Sequence, residues 1–338
     1  MSRKTIVFFK NALKAIIPLV IGVLIFLWIY EKTDPGKLWN LLCSGIHYQW
    51  IVLSLILCGL GEVVRGIRWK QLITPLGETP RTSNLIYSVF VNYLINLILP
   101  RMGEVSRCAI INKYEKISFT KTIGTLITER AVDLFSLLII VFLAFLLHTN
   151  NFYDFLAQKA GISESIVEIF TSVWLYVGIA SVVFLFWIIF TRLREMVFVQ
   201  KIKGATENIW TGIKTIRRIT GKFEFSVKTL LLWTIYFFQF YVCFFAFDFT
   251  SGLSLLQGLF IFVMANFGII VPVQGGLGTW HLMVIYSMVF FGIADEDARV
   301  FALVVHGTQM LLSILLGIFG LIALPLNNKR PVKPDRED

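Results

Sequence analysis

The chain has 338 residues, of which 57% are hydrophobic and 15% are charged, and its formal net charge is +10. Soluble domains carry roughly 25% charged residues, so this composition excludes an ordinary soluble protein. Apolar runs of about 16 to 26 residues recur along the chain, as transmembrane helices require. We therefore predict an all-α, polytopic membrane helix bundle.

The first apolar run, Ala15 to Tyr30, follows four basic residues and lacks a small-residue cleavage site. We predict a retained first span rather than a cleaved signal peptide. Six segments are long enough to cross a bilayer, at about 15–30, 46–64, 122–147, 166–191, 226–247 and 298–324.

Two further apolar segments, 85–103 and 253–293, are interrupted by proline and glycine. "FVNYLINLILPRMG" begins at Phe90 and "FVMANFGIIVPVQG" begins at Phe262, so Phe, Val, Pro and Gly recur 172 residues apart. Proline ends a helix, and a broken helix at membrane depth needs protein or water around it. We predict two re-entrant broken hairpins, with structural breaks at Pro100, Gly103, Pro272 and Gly278.

The same offset aligns the spans that flank the two hairpins. Each half would contain two spans, a hairpin and a third span, and three spans leave the second half inverted relative to the first. We therefore predict an inverted-topology repeat, as in many secondary transporters. Its parts are a first repeat at 1–165, a second repeat at 166–328 and a disordered tail at 329–338.

The basic residues are distributed unevenly around these spans. Of the 31 Lys and Arg residues, 26 fall on predicted cytoplasmic pieces, four fall on external pieces, and Arg130 lies within a span. This obeys the positive-inside rule and predicts a multi-pass protein of the inner (plasma) membrane with both termini cytoplasmic. The net charge is thus explained without a nucleic-acid partner. The basic segment 192–228 is either an amphipathic helix on the inner leaflet or an ordinary connector.

Charged residues accompany the first break. Arg101, Glu104 and Arg107 follow Pro100 within seven residues. The planar guanidinium groups suit a phosphate headgroup, and we favour this role. The alternative is that both arginines only neutralise the glutamate.

The span at 122–147 contains Glu129, Arg130 and Asp133 on one helical face. Charges at membrane depth are costly and normally face the interior of a bundle. These residues form either a polar wall for a substrate or a proton, or a structural ion pair. An earlier pair, Glu62 and Arg65, has the same two interpretations.

Two more predictions concern polar residues near span ends. Arg68 and Lys70 are predicted to anchor their span at the interface. The second hairpin contains "PVQGGLGTWH", whose glycines permit close approach of the backbone to a ligand. Its candidate substrate-binding residues are Gln274, Gly275, Gly276 and His281. For His281, as for His306, a proton shuttle and a structural role both stay open.

Four sequence stretches in this order resemble the lysylphosphatidylglycerol synthase transmembrane region, also called the flippase-like family. They are "VVRGIRWKQLITPLG", "NLILPRMGEVSR", "ITERAVDLFSLL" and "PVQGGLGTWH", and the resemblance covers about residues 15–325. It implies a lipid translocase. In full-length synthases this region is thought to flip aminoacylated phosphatidylglycerol, and stand-alone relatives are linked to other lipids, including polyprenyl-linked sugars. The family pattern falls on Pro100, Arg101, Gly103, Glu104, Arg107, Glu129, Arg130, Asp133, Pro272, Gly275, Gly276 and Gly278.

The chain departs from the family pattern at two places. His281 stands where the family often has an acidic residue, which puts a coupling or cation-binding role there in question. The chain ends at Asp338, so we expect no soluble aminoacyl-transferase domain and no synthesis of lysyl lipid.

We predict a flippase whose partner is an anionic phospholipid or a polyprenyl-linked lipid. Cysteine spacing gives no metal site, and no Walker A, HExxH or GxSxG motif occurs, so we expect no enzyme, cofactor or metal. One alternative is a membrane enzyme that uses Glu129 or Asp133 as a base. The other is a non-transporting subunit that binds a partner through 192–228. The oligomeric state is left open.

Overall fold

The computed structural model describes residues 3–31, 33, 35–147, 219, 221–271 and 273–328. All regular secondary structure in these ranges is helical. Several predictions lie outside the described residues: the span at 166–191, most of the basic segment at 192–228, the break at Pro272 and the tail at 329–338.

The first half of the chain contains six helices before residue 148. They are α1 (Arg3–Tyr30), α2 (Pro35–Ser44), α3 (Tyr48–Ile73), α4 (Thr82–Ile98), α5 (Met102–Glu115) and α6 (Phe119–Leu147). The described part of the second half contains α7 (Lys222–Tyr241), α8 (Leu255–Ile270), α9 (Thr279–Phe290) and α10 (Asp295–Asn327). Short 3-10 turns lie at Thr74–Leu76, Val242–Ala246 and Gln274–Gly276.

Three helical stretches in the described ranges are long and apolar enough to cross a membrane. They are Tyr48–Leu76, Lys222–Ala246 and Asp295–Asn327. Helix α6, with 29 residues, covers the predicted span at 122–147. The outward faces of these helices carry exposed large apolar side chains such as Leu230, Leu315 and Phe319. Such faces suit contact with lipid tails.

The first predicted hairpin consists of α4 and α5, which pack against each other. Helix α4 ends before Pro100, and Arg101 turns the chain in a left-handed conformation with φ of 63°. Gly103 then allows close packing, because a Cβ there would overlap the carbonyl oxygen of Asn92. The predicted hairpin ended at 103, whereas its returning arm continues as a helix to Glu115.

The second predicted hairpin consists of α8 and α9. Ser254 and Gln257 begin α8 with a reciprocal capping box. The break after Ile270 contains Gly275 and Gly278, with φ of 58° and 81°, which residues with a Cβ rarely adopt. The hydroxyl of Thr279 donates a hydrogen bond to the carbonyl oxygen of Gly268 at 2.8 Å. This bond holds α8 and α9 together.

The tips of the two hairpins touch. Arg101 donates from Nη2 to the carbonyl oxygen of Ile270 at 3.2 Å. The side chain of Leu97 lies against Gly275, where a Cβ would come within 2.8 Å of Leu97 Cδ2. Helix α4 also packs against α10, and α8 packs against α6. Each hairpin therefore contacts the last described helix of the other half of the chain.

The opposite end of the first hairpin is held by a polar clamp. Glu115 Oε1 accepts hydrogen bonds from the Arg81 backbone at 3.1 Å and from Asn84 Nδ2 at 2.5 Å. Asn328 donates from Nδ2 to Asn84 Oδ1 at 2.9 Å. The clamp therefore joins the start of α4, the end of α5 and the end of α10.

Candidate functional site

Six charged residues from three helices meet inside the bundle, and we call them the ionic centre. They are Arg65 and Arg68 on α3, Arg107 on α5, and Glu129, Arg130 and Asp133 on α6. Helical spacing brings each helix's members together, since residues three or four positions apart share a face.

Glu129 is the innermost carboxylate of the ionic centre and is completely buried. Its Oε1 accepts from Arg65 Nε at 2.9 Å and lies 3.5 Å from Arg68 Nη2. Its Oε2 is bonded by Arg107. Multiple cationic donors offset the desolvation of this carboxylate, which would otherwise be costly in the apolar interior.

Asp133 lies one turn further along α6 and nearer the surface of the ionic centre. Arg65 Nη2 and Arg68 Nη2 bind its two oxygens at 2.7 and 2.6 Å. Arg130 Nη2 lies 3.7 Å from the same carboxylate, and its side chain remains 41% exposed. The Arg130 side chain is thus the most exposed arginine of the ionic centre.

Arg107 and Arg68 are both completely buried. The Arg107 guanidinium carbon lies 4.0 Å from the centroid of the Trp69 ring, a cation–π distance. Trp69 in turn donates from Nε1 to Thr125 Oγ1 at 3.0 Å. The prediction that Arg68 anchors a helix at the membrane interface is therefore wrong: its burial and its bonds place it in the ionic centre. Lys70 is half-buried and donates to Thr82.

A cavity of about 540 Å³ adjoins the ionic centre. Arg65, Arg130 and Asp133 form its charged wall, and Leu134 and Ile269 lie on its apolar part. Other polar side chains that line it come from several helices: Glu62, Asn92, Tyr93, Asn96, Glu104, Tyr236, Gln239, Asn266, His306, Gln309 and Ser313. The cavity therefore combines charged, amide and apolar surfaces.

The structure brings some of the sequence-predicted residues to this cavity and not others. Those that line it are Glu104, Arg130, Asp133 and Gly275. Arg107 and Glu129 lie behind the wall, and Arg101 is exposed at the hairpin tip. Gln274, Gly276 and His281 are buried at the second break.

His281 lies next to His306, with ring centroids 4.4 Å apart. His306 Nε2 lies 2.9 Å from the carbonyl oxygen of Gly275, so it is fixed to the second break. Of the two histidines, His306 lines the cavity.

The sequence interpretation missed the amide side chains of the cavity. Asn92, Asn96, Gln239, Asn266 and Gln309 stand singly within apolar runs and form no motif. They could have been found from their polarity alone, because an amide side chain in a membrane helix is costly unless it faces the protein interior. No grouping of three or more His, Cys, Asp or Glu residues suited to a metal occurs in the part of the chain that is described.

The fold and the site define a polytopic helical membrane protein with two broken hairpins beside a polar cavity. The family model for the lysylphosphatidylglycerol synthase TM region matches residues 15–317, so the chain belongs to this family. This confirms the resemblance found in its motifs. No curated protein and no solved structure matches the chain.

Proposed function

We propose that this protein is a lipid translocase that moves an anionic phospholipid or a lipid-linked glycan between leaflets. The observation that carries the proposal is the cavity, where an accessible arginine and a polar wall meet exposed apolar side chains. A lipid headgroup needs polar contacts while its tails stay in hydrocarbon.

The charge of the ionic centre supports an anionic headgroup. Four arginines surround only two carboxylates, Glu129 and Asp133. The Arg130 side chain is 41% exposed and lines the cavity. A phosphate group there can bind its guanidinium through a charge-assisted hydrogen bond.

The apolar lining supports a lateral path for the lipid tails. Leu134 on α6 is 58% exposed and Ile269 on α8 is 56% exposed, yet both line the cavity. The cavity therefore opens on an apolar surface between these helices. Tails could remain in the bilayer there while the headgroup occupies the polar interior.

An inverted repeat belongs to this proposal, and the positions of the helices support it. An offset of 172 residues carries Thr82–Ile98 onto residues 254–270, and α8 spans Leu255–Ile270. The same offset relates Arg68 and Glu129 to Phe240 and Phe301, whose ring centroids are 6.2 Å apart. The two halves would therefore share a scaffold, with an ionic contact in one and an aromatic contact in the other.

We further propose six spans, two re-entrant hairpins and cytoplasmic termini in the inner membrane. The distribution of Lys and Arg supports this orientation. In that orientation the hairpin tips meet within the membrane, as broken helices do in transporters built from inverted repeats.

A flipping assay on the purified protein tests the translocase proposal. Vesicles containing the protein and a fluorescent phosphatidylglycerol are treated with dithionite, which quenches the outer leaflet only. We expect complete quenching in vesicles with the wild-type protein and about half in protein-free vesicles, where lipid stays in its original leaflet. Half quenching with both phosphatidylglycerol and a polyprenyl phosphate probe would reject the proposal.

The two alternatives receive different support. A base needs access to its substrate, but Glu129 is enclosed by arginines and does not line the cavity. This speaks against the enzyme hypothesis for Glu129, while Asp133 does line the cavity but is held by two arginines. The subunit hypothesis depends on 192–228, which lies largely outside the described residues.

A further inference from the structure

Glu62 is a buried carboxyl group that the ionic centre does not use. It lies on α3 one turn before Arg65, lines the cavity, and is 3% exposed. Its Oε2 atom has no hydrogen-bond partner, and within the described ranges the carboxyl group has no ion pair. Glu129 differs in this respect, because nitrogens of three arginines lie within 4 Å of its Oε1 atom alone.

Arg65 is the cation nearest to Glu62 along α3, but its nitrogens are engaged elsewhere. Nε binds Glu129 at 2.9 Å, Nη2 binds Asp133 at 2.7 Å, and Nη1 donates to the Tyr93 hydroxyl at 2.6 Å. The planar guanidinium is therefore fixed with its donors on other partners.

The other titratable groups around the cavity do not neutralise Glu62. Cys58 on its own helix, Tyr93 on α4 and Tyr236 on α7 are neutral groups. Arg130 and Asp133 on α6 contact each other, and His306 on α10 is directed to the Gly275 carbonyl. Glu104 in the first turn of α5 is a second acidic group and carries no positive charge that could neutralise Glu62.

An ionised carboxylate without a partner is strongly disfavoured in such an interior, whereas a protonated one needs no counterion. A bound metal ion would require several more oxygen ligands. We propose that Glu62 is a proton-binding site of the cavity, and that its proton is linked to the binding of an anionic headgroup. The linkage, though not the site, rests on the proposed function.

The sign of the linkage follows from the charges. Deprotonation of Glu62 places a negative charge in the same cavity as the phosphate, and like charges repel more strongly in a low-dielectric interior. An anionic headgroup therefore binds more tightly when Glu62 is protonated. By reciprocity, the headgroup strengthens proton binding by the same factor.

The site itself is tested by infrared spectroscopy of the purified wild-type and variant proteins at neutral pH. The difference between the spectra shows the carbonyl stretch of a protonated carboxyl group. We expect Glu62→Gln to lose one such band. The exposed Glu31 provides the matched control, and Glu31→Gln should keep the band. Glu62→Met also removes the proton at similar volume and replaces Glu62→Gln if that variant does not fold. An unchanged spectrum in a folded Glu62 variant would overturn the proposal.

The linkage is tested by titrating the protein in detergent with dihexanoyl phosphatidylglycerol at mildly acidic and mildly alkaline pH. We expect the wild-type affinity to fall on the order of tenfold as Glu62 loses its proton. Glu62→Gln should bind equally well at both pH values, and Glu31→Gln should behave like the wild type. An equal fall in Glu62→Gln would overturn the linkage.

The outcomes separate this inference from the translocase proposal. If phosphatidylglycerol does not bind at either pH, phosphatidylglycerol is not the substrate and its linkage to Glu62 fails, and the infrared band alone decides the proton site. If lipid flips in vesicles but the wild-type affinity is independent of pH, the translocase proposal stands and the linkage is wrong.

Discussion

Arg68 and Arg130 carry the same charge in the same cluster, but their surroundings give them different roles. Arg68 is completely buried and binds Asp133 at 2.6 Å, so it belongs to the packed interior. Arg130 is 41% exposed and its nearest carboxylate oxygens are 3.6 and 3.7 Å away. A substrate can therefore reach Arg130 without disturbing the interior, whereas Arg68 is held in place by its partners.

Replacement of Glu129 tests the structural part of the ionic centre. Glu129→Gln leaves Arg107 buried without its carboxylate, and loss of one partner of a buried pair costs about 3–5 kcal/mol. We expect the free energy of unfolding in detergent to fall by that amount. Glu31→Gln, an exposed change, should stay within about 0.5 kcal/mol of the wild type. Equal stability of the two variants would contradict the structural role.

Arg130 and Arg107 should respond differently to the same substitution. Arg130→Gln removes an accessible cation, so we expect a folded protein with slower flipping of phosphatidylglycerol. Arg107→Gln removes a buried partner of Glu129, so we expect its main effect to be a lower free energy of unfolding. From sequence alone Arg107 was expected to contact the headgroup, and its burial behind the cavity wall changes that expectation.

The comparison is made by flipping assay and thermal unfolding on the same preparations. Lys113→Gln provides the control, because Lys113 is exposed on α5 and lines no part of the cavity. A folded Arg130→Gln protein that flips phosphatidylglycerol at the wild-type rate would remove Arg130 from the path.

At the scale of helices, the sequence located the hairpins but not the full length of the first. Proline, glycine and the repeated spacing mark both breaks, because backbone chemistry determines where a helix ends. The returning arm, "MGEVSRCAIINKYE", has too few apolar residues to resemble a membrane segment. It forms α5 nonetheless, because α4 and α6 cover it and Arg107 finds its carboxylate there. Such tertiary partners are not visible in local sequence.

Gly103 tests the packing between the arms of the first hairpin. A Cβ there would overlap the Asn92 carbonyl oxygen, which belongs to the backbone of α4 and cannot rotate away. We expect Gly103→Ala to separate the arms and reduce the free energy of unfolding by about 1–3 kcal/mol, as overpacking does.

Gly59→Ala in α3 provides the control for this substitution. Among the described residues, no neighbouring atom lies within 4 Å of the place that a Cβ would take at Gly59. The change should be neutral or slightly stabilising, since alanine favours helices. Equal effects of the two substitutions on the free energy of unfolding would contradict the close packing at Gly103.

At the scale of the whole molecule, composition was enough to predict an all-helical membrane protein, and motifs were enough to predict its family. The pairing of helices between halves was less accessible, because side chains far apart in sequence create it. Arg68 illustrates the limit: a basic residue beside a tryptophan at the end of an apolar run has the composition of an interface anchor. The packing of α6 beside α3, which brings the Asp133 carboxylate to Arg68, is not visible in the local sequence.

Cysteine accessibility tests the proposed orientation of the molecule. Lys113 is exposed in the last turn of α5 and Ser251 is exposed in the turn before α8. The proposal places them on opposite sides of the membrane. In a background without the four native cysteines, Ser251→Cys should react with an impermeant maleimide on intact cells. Lys113→Cys should react only after permeabilisation. The reverse pattern would reject the orientation.

The clamp around Glu115 has a mechanical consequence. It fixes one end of the α4–α5 pair to α10 through several hydrogen bonds, while the tip meets Ile270 through an exposed one from Arg101. A pair of helices that is held at one end is displaced most at the other end when it tilts. Small bending near the clamp would be magnified at Arg101 and Leu97. The contact between the two tips is therefore the place where a small tilt of the α4–α5 pair produces the largest displacement.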